Sequence, residues 1–187
     1  MAKTIRIAGI CGSLRRGSYN AMALEEAKAV APAGCEVDII RLDGVELYNG
    51  DVEKEGWPPG VQLLRDRVDP CQAVLFATPE YNYSIPGVLK NATDWLSRPT
   101  GRAPLSGKPA AMMGASTSIT GTARAQAHLR NVCFYNAMPL LASAEVLIYR
   151  ADQKFDEQGR LVDETSRKKI ADLMEKFADW IRLVTKA

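Results

Sequence analysis

The chain has 187 residues, 47% hydrophobic and 25% charged, enough apolar material for the core of one ordinary domain. A net charge of +2 with no run of five basic residues argues against nucleic acid as a partner, and no apolar stretch approaches the ~20 residues needed to span a bilayer. A single histidine excludes a centre built on several imidazoles, and four scattered cysteines with no C-x-x-C pair suggest neither a disulfide framework nor a zinc site.

The opening "MAKTIRIAGI" threads charges through its apolar residues, unlike a signal peptide, and the scattered thiols suit a reducing compartment. A cytoplasmic protein without membrane partners is the expectation. Residues 4–10 form an isoleucine-rich run of the kind buried on both faces of a sheet. Ser18 can then cap a helix running to Val30, with Met22, Ala23, Ala27 and Val30 on one side and Gly34 as its stop.

Strands are expected at 36–42 and 72–78, with a weaker helix over 60–68 after the turn-forming "GWPPG". Pro86 opens a helix over 86–97. Residues 108–116 read as a fourth strand, 123–136 as a helix and 144–150 as a fifth strand. Ile170, Leu173, Met174, Phe177, Ile181 and Val184 recur at i, i+3, i+4 spacing and mark a closing helix.

This alternation predicts one α/β domain over 1–187, a parallel sheet covered on both faces and joined by right-handed crossovers. Ligands of such sheets bind beyond the carboxyl ends of the strands, where strand order reverses. That rule selects the loops at 11–18, 79–85 and 115–122.

The first loop, "CGSLRRGS", ends at a helix start, where free N–H groups and the positive dipole end favour an anion. Ser13 and Ser18 offer hydroxyls, Asn20 an amide and Arg15 a guanidinium fork suited to phosphate. Capping alone would need only Ser18. The Walker and dinucleotide glycine patterns are absent, and Cys11 to Arg16 is one residue short of a cysteine-phosphatase loop.

The second loop, "TPEYNYSIPG", sets two tyrosines, an amide and a hydroxyl between prolines, a stiff platform for a planar ring with polar edges. The third, "GASTSITGTARAQ", adds hydroxyls on the same rim. A phosphate at one strand and a ring at the next describe a mononucleotide, with flavin mononucleotide as the natural candidate.

"GSLRRGSYN" and "PEYNYSIPGVLKNATDWLSR" resemble the signature loops of the NADPH-dependent FMN reductase family, nearest its bacterial quinone and chromate reductases. The similarity extends through "PLSGKP" and "GTARAQAHLR". It implies a flavodoxin-like three-layer sandwich with strand order 2-1-3-4-5 and a tightly held FMN. Ser13, Arg15, Ser18 and Asn20 would take the phosphate, with Tyr19 beside them. Pro79, Glu80, Tyr81, Asn82, Tyr83 and Ser84 would line the isoalloxazine, and Ser116 would lie near the same end. The resemblance also implies a homodimer, possibly a dimer of dimers, to which Arg124 and Glu145 would contribute. Ala127 stands where a tyrosine is expected.

The chemistry expected is hydride transfer from NADPH or NADH to flavin N5 and on to a small acceptor, by a ping-pong route needing no catalytic side chain. Arg15, Arg16 and Arg102 are candidates for the dinucleotide phosphates. The competing readings are a flavodoxin-like electron carrier and an FMN-bound interaction protein. A pI near 8.3 and the arginines of the first loop weigh against the carrier, which is usually acidic. Among acceptors, quinones are expected from the resemblance alone, ahead of chromate, azo compounds or free flavin.

Overall fold

A computed structural model describes residues 4–185. Its sheet has the order β2-β1-β3-β4-β5, built from β1 (Ile5–Cys11), β2 (Cys35–Ile40), β3 (Ala73–Ala77), β4 (Ala110–Ala115) and β5 (Val146–Ile148). All four pairings are parallel, with Ile7 level with Val37 and Ala73, and Phe76 level with Met112. The expected strand order is therefore the observed one.

The helices are α1 (Tyr19–Ala29), α2 (Gly50–Glu55), α3 (Pro59–Val68), α4 (Gly87–Leu96), α5 (Ala123–Tyr135) and α6 (Glu164–Thr185). Two apolar clusters lie on opposite faces of the sheet. Ile7, Leu75 and Met113 face Leu24 of α1 and Leu173 and Phe177 of α6. Ile10, Phe76 and Met112 face Leu64 of α3, Leu89 of α4 and Leu129 of α5. Because successive strand residues point to opposite faces, both sets must be apolar. Every residue of β3 is buried for this reason.

Most expected bounds shift by a residue or two, and two strands show it most plainly. β2 spans 35–40 instead of 36–42, since Arg41 already leaves the ladder, and β5 contracts to three residues from the expected 144–150. Helix α2 was not expected. None of its residues is buried, so it carries no apolar period. It is set instead by the Asn49 side chain, whose Oδ1 accepts from Asp51 N at 2.9 Å, and by Asp51 and Glu53 in its first turn. The loop before it is anchored by the fully buried Trp95, whose Nε1 donates to Glu46 O at 2.8 Å.

One glycine is imposed by packing where the site is built. A Cβ at Gly114 would lie 1.9 Å from Thr122 Oγ1 and 2.4 Å from Thr78 O. At Gly87, on the first turn of α4, an added Cβ meets nothing within 4 Å. Gly114→Ala is expected to cost about 2 kcal/mol or more, as overpacking does, whereas Gly87→Ala should be neutral or slightly stabilising. Urea unfolding of the two variants checks the contrast.

Candidate functional site

Strand order reverses at β1, which has β2 on one side and β3 on the other. Beyond it, the loops following β1, β3 and β4 enclose a cleft of about 150 Å³. Of the residues singled out in the sequence, Ser13, Arg15, Ser18, Tyr19, Asn20, Pro79, Glu80, Tyr81 and Ser116 line it, joined by Ala115 and Thr117. Asn82, Tyr83 and Ser84 continue the second loop but are not in the cleft wall. Arg16 lines a separate groove between α1 and the turn at 158–161, and shares only Ser18 with the cleft. Arg102 is exposed on the loop after α4 and lines neither.

The first loop begins where Gly12 N donates to Ala77 O at 2.8 Å, holding it to the end of β3. Ser13 Oγ accepts from Arg15 N and Ser18 Oγ from Ala21 N, each at 3.3 Å. Both serines are buried, and as acceptors they keep their O–H groups available to donate. Among the described residues, nothing accepts from the main-chain N–H groups of Arg16, Gly17, Ser18, Tyr19 and Asn20. Those of Ser18, Tyr19 and Asn20 lie at the start of α1 in the cleft wall and, with two sheltered hydroxyls, form a ready anion site. Cys11 beneath them donates its thiol to Ser13 O, and burial pushes its pKa up.

Asn20 does something the sequence did not disclose. Its Nδ2 donates to Ala115 O and its Oδ1 accepts from Ala115 N, both at 2.9 Å and buried. The amide imitates a strand partner and ties the first loop to the third, leaving one N–H free for a ligand.

The second loop is a tight turn in which Tyr81 and Ser84 exchange main-chain hydrogen bonds at 3.0 Å each way. Asn82 and Tyr83 both have positive φ, 50° and 64°. Asparagine tolerates that region, but a tyrosine there is uncommon and needs support. Helix α5 supplies it. Glu80, nearly buried, accepts from Arg124 N at 2.9 Å, Ala125 N at 3.1 Å and Arg124 Nε at 2.6 Å. Its charge meets the open end of α5, which Thr122 does not cap with its side chain.

The Arg124 guanidinium in turn lies 3.7 Å from the centre of the Tyr83 ring, and Ser84 Oγ is 2.9 Å from His128 Nδ1. Arg124 and His128 are thus part of the support, a role missed in the sequence because no local period links 80 to 124 or 84 to 128. Opposite charge at Glu80 and Arg124 was the only available signal.

A larger groove of about 360 Å³ runs between α4 and α5, lined by Thr93, Asp94, Asn131 and Tyr135 among others. It uses the C-terminal halves of both helices. It therefore lies towards the amino-terminal edge of the sheet, away from the loops where such folds bind ligands.

The fold and the cleft define a flavodoxin-like mononucleotide-binding protein. More narrowly, residues 5–153 match the model of the NADPH-dependent FMN reductase family, and the chain belongs to that family of FMN-dependent oxidoreductases. It is 47% identical to an NAD(P)H-dependent FMN reductase of Pseudomonas aeruginosa, over 97% of this chain and 98% of that one. It is 38% identical to a 2-hydroxy-1,4-benzoquinone reductase of a Burkholderia species, over 95% and 97% of the two chains. Among solved structures, a flavoenzyme NAD(P)H:(acceptor) oxidoreductase from Paracoccus denitrificans superposes with a TM-score of 0.87 at 33% identity, covering 96% of this chain and 98% of that one.

Asn20→Asp tests the tie between loops. The replacement keeps the shape but sets a carboxylate oxygen against Ala115 O with no proton between them. A loss of about 2 kcal/mol is expected, together with faster hydrogen exchange at the Ala115 amide. Unchanged stability and protection would show that the Asn20 bridge does not hold the third loop.

Proposed function

We propose that the chain passes hydride from NADPH or NADH, through FMN, to a quinone or another small acceptor such as chromate, an azo compound or free flavin. Donor and acceptor would bind beside the cofactor in turn, a ping-pong sequence. The observation that carries the reading is the row of unpaired N–H groups at 16–20 beside a turn held rigid by Glu80 and Arg124.

The residues present fit FMN. The cleft, at about 150 Å³, is below the roughly 300 Å³ from which small-molecule pockets usually begin, so it suits the phosphate end and not the whole cofactor. Ser13, Arg15, Ser18, Tyr19 and Asn20 would hold that end. Pro79, Glu80 and Tyr81 would edge the ring, with Asn82, Tyr83 and Ser84 at its outer border and Ser116 across from them. When bound, FMN supplies the two-electron chemistry, taking hydride at N5 and returning it to the acceptor.

The side chains orient and shield. Glu80 is held by two main-chain N–H groups and a guanidinium, so its carboxylate is spent on fastening the second loop to α5. Tyr81 and Tyr83, both exposed, border the face on which donor and acceptor would stack. Arg16 and Arg102 would meet the dinucleotide phosphates and favour NADPH over NADH.

A homodimer fits the exposed Phe134 and Tyr135 of α5, which leave large apolar surface on the same helix that buttresses the second loop. A dimer of dimers would have to share Arg124, already engaged by Glu80 and Tyr83, and Glu145, which lies 3.9 Å from Arg130. Four free cysteines fit a cytoplasmic setting.

The test is the absorption spectrum of the purified protein, then anaerobic titration with NADPH. A bound-flavin spectrum that bleaches on addition and recovers with a quinone is the expected result, with parallel lines in two-substrate initial-rate plots. A flavin that stays oxidised would indicate an electron carrier, and a protein that binds no FMN would overturn the reading.

A further inference from the structure

We propose that Arg41 is a positioning residue for the cofactor phosphate, acting through the main chain of the first loop. The inference rests on the reading of that loop as the FMN phosphate site. Arg41 follows the last residue of β2, Ile40, which pairs with Ile10 of β1, so it stands at the rim where β1 becomes the loop. Its Nη2 donates to Arg15 O at 3.2 Å, and its Nε lies 3.4 Å from Asp43 Oδ2. The carboxylate fixes the guanidinium, and the guanidinium fixes the carbonyl.

Residue 15 is consequently held at both ends of its main chain, since its own N–H donates to Ser13 Oγ. That matters because 12–18 has no regular secondary structure to hold it. Carbonyl and N–H of one trans peptide point in opposite directions. Fixing Arg15 O on Arg41 therefore fixes the 15–16 peptide plane, and with Ser13 Oγ on the other side it sets the main chain from which the Arg15 side chain reaches the cleft wall. Without Arg41 the 15–16 peptide loses that anchor, and a guanidinium meant for a phosphate would be in place only part of the time. A ligand pays for that ordering when it binds. The effect is confined to the phosphate, because Arg41 is not in the wall of the cleft and does not approach the ring platform.

The test compares FMN with riboflavin, which has the ring and ribityl chain without the phosphate, by fluorescence titration of apoprotein. For Arg41→Ala, FMN affinity is expected to fall about tenfold or more while riboflavin affinity stays within about twofold, and Arg41→Lys, still able to donate to Arg15 O, should recover most of the loss. The deficit should persist at about 0.5 M salt, where a remote charge is screened within roughly 4 Å. Riboflavin binding doubles as the folding control, and Arg41→Lys keeps the test open if the alanine variant does not fold.

An unchanged FMN-to-riboflavin ratio in Arg41→Ala would overturn the proposal, as would a deficit that disappears in salt. Wild-type protein that does not prefer FMN to riboflavin would instead overturn the phosphate-site reading, and the role of Arg41 with it.

Discussion

A helix that starts inside a cleft leaves N–H groups that must find an acceptor, and at the start of α1 those of Ser18, Tyr19 and Asn20 find none among the described residues. Unpaired donors of this kind are costly unless water or a ligand meets them. The surrounding structure is arranged to keep the donors open. Ser13 and Ser18 shelter beside them, Gly12 lets the loop lie against Pro79, and Asn20 clamps the neighbouring loop at Ala115.

The second loop solves a different problem. Tyr83 at φ 64° is in a conformation that residue rarely adopts unaided, so the turn must be held from outside. The restraint comes from α5, through one carboxylate that closes a helix end, pairs with Arg124 and so brings a guanidinium over the same tyrosine. The two loops are thus built independently, on β1 with α1 and on β3 with α5. They meet because strand order reverses between them.

Much of this was legible in the sequence. The alternation of apolar strands and amphipathic helices gave the order of the elements, and "GSLRRGS" and "PEYNYS" gave two of the three loops of the cleft. What was not legible depended on distance along the chain. Helix α2 escaped because it buries nothing and is held by Asn49 and its own acidic turn. The tie made by Asn20 escapes sequence reading because its partner is Ala115, 95 residues away, and a main-chain partner has no sequence signature. The resemblance places Arg124 in assembly, and nothing local in the sequence shows that within the chain it also serves Glu80 and Tyr83. Arg16 and Arg102 were grouped with Arg15 by residue type, but only Arg15 faces the cleft.

The most direct measurement is a crystal structure of the protein with FMN. The phosphate should lie against the N–H groups of 16–20, between Ser13 and Ser18, with the ring resting along 79–84. A phosphate found elsewhere, for instance beside Arg16 in the groove between α1 and 158–161, would contradict the claim that the open helix start defines this site.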